Sequence, residues 1–178
     1  MKTIILDRDG VINQDSDNFI KSPDEWIPIP GSLDAIARLN HAGYLVYIAT
    51  NQSGIARGLF DIETLNAIHL KLHTELQKIG GRVQAILFCP HGPNEACECR
   101  KPKPGLYEEV AKRTQSPLTE VPVVGDSYRD IEAALSVHSQ PILVLTGKGK
   151  RTLKEHHDQL NGIPICKDLA QVVDKLLG

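Results

Sequence analysis

The sequence predicts an α/β protein built on a parallel sheet with helices on both faces. Six apolar runs of strand length recur along the 178 residues, at 3–6, 44–49, 83–88, 121–124, 142–145 and 163–165. Helix-period patterns separate most of them, which is the alternation of a βα chain. Crossovers between parallel strands are nearly always right-handed, and a succession of them distributes helices over both faces.

The first run, ending at Leu6, reads as a buried parallel strand. The connection from Arg8 to Pro30 is long, polar and interrupted by Pro23, Pro28 and Pro30. A βα connection of that length is usually functional, here a flap over the site that Trp26 and the prolines stiffen. After Gly31-Ser32, a stripe of Leu33, Ile36, Ala37 and Leu39 marks a helix that Gly43 closes before the strand at 44–49. Asp61 is a good N-cap for a longer helix running to Ile79, where Gly80-Gly81 stop it. His69 and His73 lie one turn apart on it, but Leu70 follows His69 where a zinc-protease helix needs Glu, so both read as ordinary helix positions. Pro104-Gly105 begin a third helix near Leu106, 128–135 form a fourth, and Leu169–Leu177 the last. Gly147-Lys148-Gly149-Lys150 has no glycine five residues upstream and no Ser or Thr after Lys148. It is not a Walker A loop and reads as a flexible basic loop.

The composition suits one ordinary globular domain over residues 1–178, with 41% hydrophobic and 24% charged residues. No repeat, low-complexity tract or linker divides it. A net charge of -2 gives no electrostatic footprint for nucleic acid. The amino end enters a strand without a signal segment, and no run approaches a membrane helix, so a cytoplasmic protein that meets neither membrane nor nucleic acid is expected. No long heptad demands an oligomer, and a monomer is expected.

Four stretches at successive strand ends carry chemistry. Asp7-Arg8-Asp9-Gly10 follows the first strand, placing two carboxylates in the crevice at its carboxyl end, where they repel unless a cation such as Mg²⁺ joins them. Thr50-Asn51-Gln52-Ser53-Gly54 follows the second strand and offers a hydroxyl and two amides suited to phosphate or sugar oxygens. Arg100-Lys101-Pro102-Lys103 places fixed cations before a helix start, a guanidinium for bidentate phosphate grip and an ammonium as a point charge. Val123-Val124-Gly125-Asp126 ends another strand with an acid in the position of Asp7, a candidate third metal-facing carboxylate. Asp130 could assist, or could sit in the first helical turn where the dipole favours acids. Each stretch alone is an ordinary turn or a solvated loop. Their arrival in order, each at a strand end, points to phosphoryl chemistry on a small substrate.

Asp-x-Asp, then Thr, then Lys, then Gly-Asp-x-x-x-Asp resembles the haloacid dehalogenase superfamily of phosphohydrolases over nearly the whole chain. The resemblance implies a Rossmann-like sheet without a large cap domain, and an enzyme working through an aspartyl phosphate. It makes Asp7 the nucleophile and Asp9 the group that protonates the leaving alcohol and later activates water. Thr50 and Lys101 would hold phosphoryl oxygens, and Asp126 would complete Mg²⁺ coordination with Asp7 and the backbone carbonyl of Asp9. Val11 stands where many relatives carry Thr, a departure that does not touch this chemistry. A zinc-stabilised binding module with an Asp phosphate acceptor is the rival reading, against which Asp9 argues, because a lasting phospho-Asp needs no second acid beside it.

Cys89-Pro90-His91 and Cys97-Glu98-Cys99 offer three thiolates and an imidazole, the donor set of a closed tetrahedral zinc site. A short hairpin over 92–96 would bring the pairs together, while Cys166 stands apart. Four protein donors leave no open position, so the zinc is structural, and its task is to hold Arg100 and Lys101. Joined to Cys-Arg-Lys-Pro, this loop is similar to the subgroup of heptose-bisphosphate 7-phosphatases and histidinol-phosphate phosphatases. Thr50-Asn51-Gln52-Ser53-Gly54-Ile55-Ala56-Arg57-Gly58 is similar to the heptose branch, which serves the making of nucleotide-activated heptose for the lipopolysaccharide core. By that resemblance Asp15, Ser16, Asp17 and Asn18 in the flap, with Thr50, Asn51, Gln52 and Ser53, face the sugar, and Arg100 recognises the distal phosphate or hydroxyls. Ser127 departs from heptose enzymes with Lys at that position.

Overall fold

The computed structural model describes residues 2–178. Its elements run β1 (Lys2–Leu6), α1 (Ser32–His41), β2 (Tyr44–Asn51), α2 (Ile62–Lys78), β3 (Ala85–Cys89), α3 (Gly105–Thr114), β4 (Pro122–Gly125), α4 (Tyr128–Ser136), β5 (Gln140–Val144), α5 (Gly149–Glu155), β6 (Ile165–Cys166) and α6 (Leu169–Leu177). The strands form a six-stranded, all-parallel sheet in the order β3-β2-β1-β4-β5-β6. The chain moves outward from β1 through β2 and β3, then returns to the other side of β1. Between β1 and β4 the order reverses, and the crevice outside the carboxyl ends at such a switch point is where α/β sheets bind ligands.

Alternate residues of a strand face opposite ways, and this parity divides the core in two. Ile4, Leu6, Val46 and Ile48 pack with Ile36 and Leu39 of α1, Leu72 and Leu76 of α2, and Val172 and Val173 of α6. Ile5, Tyr47, Ala49 and Val123 face the other way, against Leu106 and Val110 of α3 and Ala133 and Ala134 of α4. Helices therefore cover both faces, as the alternation of runs and helical patterns predicts. Among the described residues, no helix is long and apolar enough to cross a membrane.

Where a cap or a stop is written locally, the predicted boundary holds. Asp61 accepts the amide of Thr64 at 2.8 Å, and α2 ends before Ile79 with Gly80 in the left-handed region at φ 75°. Asp168 likewise caps α6 through the amide of Gln171 at 2.9 Å. β2 runs two residues further than its apolar run, to Asn51, and the last strand is confined to Ile165–Cys166.

Three expectations need correction. Gly147-Lys148-Gly149-Lys150 is no loose loop, because α5 begins at Gly149 and Thr152 in it donates to the carbonyl of Asp126 at 2.8 Å. Tertiary anchoring overrides the flexibility that two glycines confer in isolation. The segment 92–96 makes a turn without paired strands, tied by the Gly92 amide to the Glu95 carboxylate. The connection after β1 is more deeply embedded than its polarity implies. Gln14 donates to Ile27 and Ile29 to Ile12, each at 2.9 Å, so two runs of the loop lie antiparallel, and Val11, Ile12, Ile20 and Trp26 join the core.

Lys71 of α2 fastens that loop. Its ammonium donates to the carbonyls of Pro23 (2.7 Å) and Trp26 (2.9 Å) and lies 5.8 Å from the centre of the Trp26 ring. Replacing Lys71 with Ala should cost about 1–2 kcal/mol, lowering Tm by roughly 3–6 °C. Trp26 is the sole tryptophan of the sequence, so its emission should shift to the red as the loop loosens. An unshifted spectrum and an unchanged Tm would show that the loop stands without this anchor.

Candidate active site

Strand register brings the predicted carboxylates together. Leu6 pairs with Val124, and the amide of Asp7 donates to the Val124 carbonyl at 2.9 Å, so Asp7 and Asp126 leave neighbouring strands side by side. The chain then turns at once, the Arg8 carbonyl accepting the amide of Ile12 at 2.9 Å. Gly10 (φ 85°) and Gly147 (φ 54°) both abut the Asp126 carboxylate, and a Cβ at either would collide with it. The backbone thus closes around Asp126 from two sides, and the Lys148 amide donates to its Oδ2 at 2.7 Å.

Carboxylate oxygens of Asp7, Asp126 and Asp130 lie within 4.8 Å of one another. Both readings of Asp130 are realised together. It completes a capping box at the start of α4, accepting from the Ser127 amide (3.0 Å) and hydroxyl (2.7 Å), while its Oδ1 takes the Lys101 ammonium at 2.6 Å. Lys101 is buried, and its ammonium also meets Asp7 Oδ1 at 3.1 Å and the Ala49 carbonyl at 2.7 Å. Burial alone would pull its pKa down, but Asp130 and Asp7 hold it well above the usual lysine value. Burial, reinforced by Asp130 and Asp9 against the opposing pull of Lys101, pushes the Asp7 carboxyl up to about 7. Burial, then Asp7 and Asp130, drive Asp126 the same way. One ammonium does not neutralise three close carboxylates. A cluster of carboxylate oxygens whose ionisation is so opposed fits a hard divalent cation.

Asp9 is set differently. Arg8 grips it with Nε on Oδ1 (2.9 Å) and Nη2 on Oδ2 (3.1 Å), Asn13 donates to Oδ1 at 2.9 Å and Gln52 to Oδ2 at 3.1 Å. Burial opposes the charged form, yet the Arg8 guanidinium and these donors hold the Asp9 carboxyl below the usual range. Gln52 also donates to the Thr50 hydroxyl at 2.9 Å, so both hydrogens of its amide serve neighbouring site residues. Asn51 clamps the backbone of Lys101, accepting its amide at 3.0 Å and donating to its carbonyl at 3.1 Å.

Above this floor opens a cavity of about 270 Å³. Thr50, Gln52 and Ser53 line it with Asp15, Ser16 and Asp17 of the long loop, whereas Asn18 does not join it. Asn18 is exposed within a turn, its amide donating to the Ser16 hydroxyl at 3.1 Å, and Phe19, at φ 64°, rejoins the cavity wall. Three guanidiniums stand on the rim, those of Arg57, Arg100 and Arg129. Burial and the like charges of Arg129 and Arg57 lower the pKa of Arg100, against the opposing pull of Cys89 and Cys97. Lys148 reaches across to Asp15 at 3.2 Å.

The cysteine loop leads straight into Arg100-Lys101. Cys89 closes β3, and its sulfur lies 3.0 Å from that of Cys99, 3.8 Å from that of Cys97 and 3.5 Å from Nδ1 of His91. His91 Nδ1 is 3.3 Å from the Cys99 sulfur. These separations are too long for a disulfide bond and near the edges of a tetrahedron with zinc–sulfur bonds of about 2.3 Å. Burial and the Cys99 thiol push the Cys89 thiol up to about 12. The donor set fits a closed zinc site.

Five site residues escaped sequence reasoning. Arg57 and Lys148 are cations in strand-end loops and Arg129 stands in the first turn of α4 just after β4, a signal that was available. Arg8, between the two acids, and Asn13 become site residues only through their bonds to Asp9.

Residues 98–172 match the HAD-hydrolase-like family model. The D-glycero-beta-D-manno-heptose-1,7-bisphosphate 7-phosphatase of Bordetella bronchiseptica is 57% identical over 99% of this chain and 98% of its own. That of Pseudomonas putida is 53% identical over 99% and 100%. The crystal structure of the B. bronchiseptica D,D-heptose 1,7-bisphosphate phosphatase, complexed with magnesium and phosphate, superposes with a TM-score of 0.94, covering 99% of this chain and 98% of that one.

Asp126 provides a test of the carboxylate cluster. Its pKa is raised in the fold, so ionising it costs stability that is lost as pH rises from the ordinary carboxylate range through the folded value. In Mg²⁺-free buffer near pH 8, Asp126→Asn should therefore raise Tm by about 3 °C. The gain should vanish near pH 4, where Asp126 keeps its proton. Added Mg²⁺ should then stabilise the wild type more than the variant, as ligand linkage requires.

Proposed function

The chain belongs to the family of D-glycero-beta-D-manno-heptose-1,7-bisphosphate 7-phosphatases, and on that footing we propose that it removes the 7-phosphate from the beta anomer of this sugar bisphosphate, leaving the 1-phosphate. The observation that carries the reading is the pairing, in one small cleft, of a Lys101–carboxylate floor with a rim of three guanidiniums. A floor of that kind suits the phosphoryl group that reacts, and a rim of arginines suits one that is only held.

In the reaction we infer, an Asp7 oxygen attacks the phosphorus of the 7-phosphate as the bond from phosphorus to the sugar oxygen breaks. Asp9, carrying the proton it took from water in the preceding turnover, gives it to that oxygen, and an aspartyl phosphate remains on Asp7. Water then attacks the phosphorus, Asp9 takes the proton, and inorganic phosphate leaves as the Asp7 carboxylate is restored. Splitting the displacement in two lets each half proceed over a lower barrier. Lys101 and the Thr50 hydroxyl hold phosphoryl oxygens throughout. Asp7, Asp126 and the carbonyl of Asp9 would hold Mg²⁺, which supplies the positive charge that lets a carboxylate approach a phosphate dianion. Asp130, whose oxygens already have Lys101 and Ser127 as donors, fixes Lys101. Cys89, His91, Cys97 and Cys99 would hold a structural zinc that keeps Arg100 and Lys101 in register. Asp15, Ser16, Asp17 and Ser53 face the sugar, and Arg57 and Arg129 join Arg100 on the distal phosphate. The enzyme acts as one domain over residues 1–178, as a cytoplasmic monomer, in the making of nucleotide-activated heptose for the lipopolysaccharide core.

The test is phosphate release with Mg²⁺ and zinc-replete protein from both anomers of the heptose bisphosphate and from histidinol phosphate. The beta anomer should exceed histidinol phosphate by more than about a hundredfold in kcat/KM, roughly 2.7 kcal/mol of discrimination. Histidinol phosphate as the better substrate would keep the chemistry and overturn the sugar. Asp7→Asn should lower kcat by at least about a thousandfold without unfolding the protein. Chelating the zinc should abolish most activity while far-ultraviolet circular dichroism keeps its helical signal, because the metal loop meets only one half of the core, through Cys89, Cys97 and Cys99. Equal activity of zinc-free and zinc-loaded protein would remove the positioning role of the metal.

A further inference from the structure

Arg8 is fully buried, and its guanidinium faces a single carboxylate, that of Asp9. Its third nitrogen, Nη1, lies 3.0 Å from Nε2 of His69 on α2. Arginine has donors and no acceptor, so Nε2 of His69 must be the acceptor and the imidazole must be neutral, with its proton on Nδ1. His69 is itself only 8% exposed, and burial followed by the Arg8 charge takes its pKa down to about 3, so it stays neutral across the working range.

The arrangement does more than pair two charges. A fork on a carboxylate fixes the two groups relative to each other but leaves them free to swing as a unit about the short loop that carries both. His69 ties the fork to α2, which packs on the sheet through Leu72 and Leu76. With Asn13 and Gln52, four side-chain donor contacts fix the orientation of the Asp9 carboxylate.

We propose that Arg8 and His69 are positioning residues that hold Asp9 as the base for the second half of the reaction. There water's oxygen bonds to phosphorus, the bond from phosphorus to Asp7 breaks, and the proton of the water passes to Asp9. The inference rests on the aspartyl-phosphate reading above. It places the effect of the clamp on one half-reaction, which separates it from mere structural support.

p-Nitrophenyl phosphate separates the halves, because its leaving group departs without a proton. With zinc- and Mg²⁺-loaded protein, His69→Leu should fold as the wild type does and lose about tenfold or more in kcat. KM should fall in parallel, so that kcat/KM stays within about threefold. Stopped flow should show a burst approaching one nitrophenol per enzyme before slow turnover, the signature of an accumulating phosphoenzyme. His69→Gln, whose carbonyl can accept from Arg8, should restore kcat to within about threefold of wild type. Arg8→Lys, which keeps the charge and loses the fork, should show the burst as well and serves if His69→Leu does not fold. A His69→Leu enzyme with wild-type kcat, a loss shared by kcat/KM without a burst, or a Gln variant as impaired as Leu would overturn the clamp while the phosphatase reading stood. A wild type that released no phosphate from this ester or from the sugar bisphosphate would overturn both.

Discussion

A single buried ammonium holds the site together. Lys101 bonds to Asp130, Asp7 and the Ala49 carbonyl, and so joins the ends of β1, β2 and α4 at one point. A buried cation must be paired to be tolerated, and here the pairing is incomplete by design of the charge count: three carboxylates face one lysine. The fold therefore presents a pocket whose electrostatics are settled only when a cation and an anionic group arrive together. A divalent cation with a phosphate dianion meets that requirement, and it is the pair bound in the relative from B. bronchiseptica.

Lys101 sits on a loop, and a loop alone would not hold an ammonium to a few tenths of an ångström. Three devices stiffen it. Asn51, at the end of β2, clamps the Lys101 backbone from one side. From the other, the Cys/His cluster begins on β3 and ends one residue before Arg100, so a metal there would shorten the free loop to almost nothing. Gly105 lets the start of α3 press against the Glu98 carbonyl, where a Cβ would collide. Each device acts on backbone geometry and leaves the ammonium free for its partners.

Much of this was legible in the sequence because its causes are local. An Asp three residues before the amide it caps, a glycine after the last helical turn, and an acid at the end of an apolar run are all written within a few positions. The boundaries of α2 and α6, the parity of the core and the membership of Asp7, Lys101 and Asp126 in one site follow from such short-range rules. What was not legible depends on pairings far apart in the chain. Arg8 meets His69 across 61 positions, which turns a helix histidine into an acceptor and a loop arginine into a fork. The start of α5 is tied to Asp126 by the Lys148 amide and the Thr152 hydroxyl, and Gly10 and Gly147 let two backbones close there, a contact that neither glycine discloses alone. Asn18 leaves the cleft because it sits in a turn closed by the Phe19 amide on the Ser16 carbonyl, with a positive φ at Phe19 that no sequence rule assigns to phenylalanine.

Asp7 and Asp9 are chemically identical, two positions apart, and their surroundings drive them in opposite directions. Asp7 has a backbone amide and Lys101 on one oxygen, Oδ1. Asp9 has both oxygens held by guanidinium and amide donors. In the proposed reaction the nucleophile needs an unoccupied lone pair aimed at phosphorus, and the base of the later step needs a fixed orientation together with a lone pair for the water's proton. Environments that push two like carboxyls apart are how one fold allots different roles to them. Arg8 holds Asp9 down with its side chain, whereas Asp7 is raised by burial, with Asp130 and Asp9 adding to it, against the pull of Lys101 and the weaker pull of the Arg8 amide.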